Sequence, residues 1–182
     1  MKDTKTEWKF FSIADWEKEE QYLRRQHQNG WKFTGVSFLM AYHFVRCEPE
    51  DVVYQLDYNP AANKQEYLQI FRDCGWEYLQ DYVGYSYFRK PASAMQGEEA
   101  IFSDDASRLD MLRRIIKGRL LPLLPIFLLL VLPNLLRPLS AYSTPVEYAL
   151  LAMFLFLGVV YTFIFVYFGW QFTKLYNRLQ RK

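Results

Sequence analysis

Two histidines, His27 and His43, and two cysteines, Cys47 and Cys74, are the side chains of this 182-residue chain best suited to nucleophilic or metal chemistry. A metal centre needs several such ligands at short, regular spacing, and neither histidine has neighbours of that kind, so His27 reads as a helix-surface residue and His43 as a strand residue. A nucleophilic thiol needs a base or a positive field beside it. Cys47 and Cys74 have neither an adjacent base in sequence nor C-x-x-C spacing, and they read as buried or idle thiols. The acids of "DWEKEE" (15–20) read as a helix start and a solvated face, and Gly30 and Gly75 are isolated, unlike a phosphate-cradling loop. No catalytic, cofactor-binding or metal-binding residue is nominated, and a non-enzymatic protein without a cofactor is expected.

The two glycines instead mark elements. "QNGWKF" (28–33) and "DCGWEY" (73–78) carry the same Gly-Trp joint 45 positions apart. At that offset Tyr22-Leu23 falls on Tyr67-Leu68 and "WKFFSI" (8–13) on "VYQLDY" (53–58), while "YHFVR" (42–46) matches "YSYFR" (85–89) at an offset of 43. This pattern predicts an internal duplication, with a two-residue length difference near Gly35 or Gly84, where a bulge or turn is easiest to accommodate. Each glycine supplies a left-handed stop to a helix, and each tryptophan starts the return strand. Tyr67, Ile70, Phe71 and Cys74 share one helical face; Trp16, Tyr22 and Leu23 are expected to bury the first helix.

Alternation over 38–45 and over 52–58 predicts strands, with "CEPED" (47–51) as the turn between them. The expectation is an α+β, ferredoxin-like βαββαβ domain over residues 1–91, with one antiparallel sheet, two helices on one face and the other face open. That region holds 20 aromatic side chains. Two readings stay open: a thick aromatic core with tyrosine hydroxyls reaching water, or a surplus that docks a protein partner or an apolar ligand. Residues 1–95 carry 12 Lys/Arg against 14 Asp/Glu, which excludes a polyanion binder on charge. An RNA-recognition domain of the same topology would need a basic, glycine-containing third strand; "EDVVYQLDYN" (50–59) is acidic, so no nucleic acid is expected.

The remainder is of another kind. Leu120 to Leu136 and Tyr148 to Phe168 contain no charged side chain, which makes both candidates for crossing a bilayer. Pro122, Pro125 and Pro133 should bend or locally open the first. Thr144-Pro145-Val146-Glu147 has the residues of a capping box with proline at the first helical position. Basic residues flank the pair: Arg108, Arg113, Arg114, Lys117 and Arg119 before it, and Lys174, Arg178, Arg181 and Lys182 after it, with Arg137 alone between. The positive-inside rule then predicts a multi-pass cell-membrane protein with both termini cytoplasmic. Trp170 and Tyr176 suit an interfacial belt. The expected organisation is a ferredoxin-like duplicated domain at 1–91, a linker and juxtamembrane helix at 92–118, and a transmembrane hairpin with a cytoplasmic tail at 119–182. The helix of 102–118 either lies on the inner membrane surface or continues into the first span. Two cysteines and the polar start "MKDTKTEWK" suggest free thiols in a reducing compartment.

The Gly30-Trp31 and Gly75-Trp76 joints, "YHFVR", "EYLQIFRDCGWEYLQDYVGYSYFRKP" (66–91) and "IFSDDASRLDML" (101–112) resemble the bacterial family catalogued as domain of unknown function 2812, over about residues 8–115. The resemblance implies a cytoplasmic domain joined to membrane spans. It also implies a regulatory or sensing context, since genes of the family often neighbour PadR-type regulators, and it offers no catalytic residues to carry over. The expected function is a membrane-tethered cytoplasmic interaction or sensor module that binds the lipid bilayer and a regulator, transporter subunit or apolar compound. The alternative is an accessory subunit of a larger membrane transport complex.

Overall fold

The structure, a computed structural model, describes residues 3–59, 63–95 and 105–180. It divides into two units, Met1–Ser107 and Arg108–Lys182.

The first unit is α+β, with six strands in two antiparallel sheets among the described residues. Strands β1 (Thr4–Trp8), β2 (Trp31–Ser37) and β3 (Ala41–Arg46) pair in the order β1-β3-β2; β4 (Val52–Tyr58), β5 (Glu77–Tyr82) and β6 (Tyr85–Pro91) pair in the order β4-β6-β5. Helices α1 (Trp16–Gln28) and α2 (Lys64–Asp73) each follow the first strand of their sheet. Two βαββ repeats therefore replace the expected βαββαβ succession and its single sheet. The return segment after each Gly-Trp joint folds back on itself. In the first repeat it does so at Phe38–Met40, where Leu39 and Met40 take φ of 61° and 56°. An apolar turn inside an alternating run looks like uninterrupted strand, which is why 38–45 was expected to be one.

The duplication holds in finer detail than the residue identities suggest. Phe33 pairs with Phe44 and Tyr78 with Phe88; Ser37 pairs with Ala41 and Tyr82 with Tyr85. Both hairpins slip register at the same place, between Phe33 and Gly35 and between Tyr78 and Gln80. The β2/β5 offset is thus 45 and the β3/β6 offset 44, not 43. The length difference is one residue, and it lies in the turn, Phe38–Met40 against Val83-Gly84. The first strands correspond as Trp8 to Tyr58, so "FFSI" (10–13), expected within a strand, is part of the connection to α1.

Gly30 and Gly75 end their helices with φ of 78° and 79°. At the second joint Gly75 N–H donates to Arg72 O (2.8 Å) and Trp76 N–H to Phe71 O (2.9 Å), the paired bonds of a Schellman end. A side chain at Gly30 would stand 3.0 Å from the Cys47 carbonyl oxygen, whereas one at Gly75 would meet only the Lys90 stem at 3.4 Å. Gly75→Ala is accordingly expected to cost about 1 kcal/mol and Gly30→Ala about 2 kcal/mol, measured as shifts in the urea midpoint of the detergent-solubilised chain.

Most of the aromatic surplus is core. Phe33 lies between the two sheets, with ring centroids 6.1 Å from Tyr42, 5.9 Å from Phe44, 6.1 Å from Tyr54 and 5.7 Å from Tyr87. Helix α1 packs on this inner side and reaches the free edge of β4, where the Leu56 N–H donates to Glu20 Oε1 (2.8 Å) and Arg24 pairs with Asp51 (2.6 Å). An edge strand so covered cannot pair with another chain. The facing edges of β2 and β5 meet through Gln80, whose Nε2 donates to Val36 O (3.0 Å). Gly35 leaves room for it, since a Cβ there would come within 2.6 Å of Gln80 Oε1. On the outer face of the second sheet, Tyr67 of α2, Trp76 and Phe88 are buried together with Leu68 and Phe71 against them. Ile70 and Cys74, expected on that buried face, are exposed, because the ten-residue helix turns its Tyr67–Leu68–Phe71 side to the sheet.

The second unit contains two helices long and apolar enough to cross a membrane, Arg108–Leu135 and Pro145–Arg178. Helix α3 (Asp105–Ile115) runs on into the first of them; the start of the expected capped segment, at 102–104, and the linker residues 96–100 lie outside the described residues. Wide π-type turns occur at Ile116–Leu120 and Phe127–Val131. They flank Pro122 and Pro125, which have no N–H to give to the ladder; Leu121 N–H accordingly bonds five residues back, to Ile116 O (3.0 Å). The C-terminal helix Pro145–Gln180 starts in the expected capping box. Glu147 Oε2 accepts from Thr144 N–H (2.9 Å) and Ser143 N–H (2.7 Å), and Glu147 N–H reaches Thr144 Oγ1 (3.4 Å). The two helices pack antiparallel: Phe127 meets Tyr161 and Phe165, while Leu135 fits over Gly158.

Candidate functional site

The chemistry-bearing groups that the fold gathers are not the ones the sequence singled out. On α1 the spacing Trp16, Glu19, Leu23, His27 places all four on one buried stripe. Glu19, expected on a solvated face, is only 6% exposed. Its Oε1 accepts hydrogen bonds from Tyr42 of β3 (2.7 Å) and Tyr87 of β6 (2.5 Å), so one carboxylate oxygen joins the helix to both sheets. Burial raises the Glu19 pKa above the usual carboxylate value although both tyrosines oppose the shift. Burial, followed by the Glu19 charge, likewise raises the two phenols.

Two turns further along, His27, expected at the surface, is buried with Nδ1 2.8 Å from the Tyr54 hydroxyl. Burial, with the Arg89 charge beside it, holds the imidazole below its ordinary pKa; the Tyr54 phenol is pushed up to about 12, chiefly by burial. Arg89 is itself fixed by two 2.6 Å hydrogen bonds to Glu77. Midway along the helix Tyr22 donates to Glu7 (2.5 Å). Among the described residues no buried side-chain nitrogen or oxygen lacks a partner. The row is thus a satisfied polar seam inside an aromatic core. Its carboxylate and phenols are shielded from solvent and saturated by one another, an arrangement that fixes the relative placement of three elements.

His43 sits on the opposite face of the first sheet. Its Nε2 is 2.8 Å from Ser37 Oγ and its Nδ1 3.0 Å from Thr6 Oγ1, the order of a nucleophile, a base and an orienting group. Thr6 brings no charge to stabilise an imidazolium, and both Thr6 and Ser37 are exposed to solvent. The triplet is a cross-strand polar ladder. Cys47 and Cys74 are free thiols, the second exposed. Among the described residues no group of three or more His, Cys, Asp or Glu is placed to hold a metal ion.

A family profile described as "Protein of unknown function (DUF2812)" matches residues 15–124. The chain belongs to this family. The DUF2812 match runs from the residue before α1, through the rest of the first repeat and all of the second, into the first apolar helix, so the Glu19–Tyr42–Tyr87 link lies wholly within it. No curated protein and no solved structure matches the chain.

The second unit carries its own apolar groove, with a volume of about 710 Å³. Phe127 and Leu135 of the first apolar helix and Gly158, Thr162 and Trp170 of the second line it. Thr162 directs its hydroxyl back to Gly158 O (2.8 Å), which leaves the groove wall without a free donor at that point. Trp170 is exposed with the Lys174 ammonium 5.4 Å from its ring, a pairing suited to the headgroup level of a bilayer.

Proposed function

We propose that this DUF2812 member is a non-catalytic interaction or sensor module tethered to the inner face of the cell membrane. The two apolar helices form a transmembrane hairpin, and both chain termini lie in the cytoplasm. The observation that carries the reading is the pair of antiparallel helices of 28 and 34 residues, of whose most apolar windows only 11% and 6% is buried. An apolar surface so uncovered needs a lipid solvent. At 1.5 Å per residue each exceeds the roughly 30 Å of hydrocarbon. Nine basic residues, Arg108 to Arg119 and Lys174 to Lys182, flank the hairpin on one side and Arg137 alone on the other, which supports the orientation. The non-catalytic reading is supported by the saturation of the buried seam.

Labelling tests the tether. With Cys47 and Cys74 replaced by serine, Ser140→Cys is expected to react with a membrane-impermeant maleimide on intact cells, and Asn177→Cys only after lysis. Equal labelling of both positions before lysis, or release of the chain by alkaline carbonate, would overturn the topology. The accessory-subunit reading is favoured by one observation, the 710 Å³ groove between the helices. Exchanging the hairpin for an unrelated two-span anchor separates the two: retained function supports the module, and lost assembly supports the subunit.

A further inference from the structure

Among the described residues of the first unit, three large aromatic side chains stay out of the core, and they occur together. Trp8 is 72%, Phe10 79% and Phe38 83% exposed, and Leu39 beside them is 70% exposed. Trp8 ends β1 opposite Ala41, and Lys9 N–H bonds to Met40 O (3.2 Å), which ties the segment after β1 to the β2–β3 turn. The four side chains therefore crown one end of the first sheet.

The duplication supplies an internal comparison. Tyr58, the residue equivalent to Trp8, is 3% exposed and packs edge-on against Tyr85 at 5.4 Å, and the equivalent turn is the short Val83-Gly84. The fold thus has a way to cover this end and does not use it in the first repeat. The three-residue turn also holds Leu39 and Met40 at positive φ, a conformation that glycine or asparagine would take with less strain. Of the two, Leu39 is displayed to solvent. The charge at this end is of one sign as well: residues 8–14 and 37–45 contain Lys9 but no Asp or Glu, in a region that is otherwise net acidic.

We propose that this end of the first sheet is a lipid-docking tip. Trp8, Phe10, Phe38 and Leu39 enter the headgroup layer of an anionic bilayer, with Lys9 among the phosphates. Tryptophan, phenylalanine and leucine with an adjacent lysine are the residues of interfacial anchors, and an anionic leaflet attracts the Lys9 ammonium. The proposal rests on the membrane-tethered reading, which supplies a bilayer to the first unit.

The test uses the full chain, with Cys47 and Cys74 replaced by serine, reconstituted into phosphatidylcholine vesicles with and without phosphatidylglycerol. An environment-sensitive dye is placed at Leu39→Cys or, as a control, at Val83→Cys. In the vesicles with phosphatidylglycerol the dye at 39 is expected to be quenched by headgroup-level nitroxide lipid and to be several-fold less open to aqueous iodide than the dye at 83. Equal iodide access at both positions overturns the proposal. So does protection at 39 without lipid quenching, which would indicate a protein contact. Failure of the chain to float with the vesicles would instead overturn the tether itself.

Discussion

Glu19→Ala is expected to destabilise the first unit by about 3 kcal/mol, because it leaves two buried phenols without an acceptor and opens a void between helix and sheets. The Tyr42 and Tyr87 hydroxyls both end on one Glu19 oxygen, so their loss of a partner is simultaneous. Glu19→Gln keeps an acceptor there and is expected to cost less than half as much. Stability should also depend on pH through this carboxyl. Burial places the folded-state pKa of Glu19 above its unfolded value. A group raised in this way contributes stability that is fully present below the unfolded pKa and is lost as pH rises through the folded one. The wild-type chain should therefore lose stability along that limb, and Glu19→Gln should flatten it. Denaturant titrations of the detergent-solubilised chain across pH, followed by tryptophan fluorescence, read both effects. A Glu19→Ala midpoint equal to wild type would remove the seam from the folding core.

Phe33→Ala is expected to cost more, about 4 kcal/mol, in the range of buried aromatic truncations. Phe33 has no exposed surface, and its ring touches aromatic rings of both sheets. The truncation should therefore loosen the sheets together. Hydrogen exchange checks this: amides of β3 and of β6 should lose protection by similar factors. Phe88→Ala, on the outer face with Tyr67 and Trp76, should instead release α2 before the first sheet. Protection lost in the first sheet alone after Phe33→Ala would contradict a shared core.

The elements that announced themselves in sequence are those made by local chemistry. A left-handed glycine must stop a helix wherever it stands, so both Gly-Trp joints could be read directly. The Thr144–Glu147 capping box, the prolines of the first apolar helix and the two uncharged runs follow rules of equally short range. What stayed hidden depends on partners distant in the chain. Nothing near Leu39 and Met40 marks a turn, since both are poor residues for positive φ. Glu19 stands among solvated acids in "DWEKEE", and only the spacing Trp16–Glu19–Leu23–His27, read as a stripe with its polar members kept, would have placed it inside. Its acceptor role needs Tyr42 and Tyr87, 23 and 68 residues away. The true register of the repeats was obscured in the same way, because a side-chain match at offset 43 outscored the backbone pairing at 44.

Helix α1 belongs by sequence to the first repeat, yet it seals the β4 edge of the second through Glu20 and Arg24. Neither copy is then an autonomous folding unit, and the ancestral duplication has become a covalent heterodimer of mutually dependent halves. Severed within "CEPED", such halves would be obligate complements, able to reassemble as a split protein but unable to be inherited or exchanged one at a time.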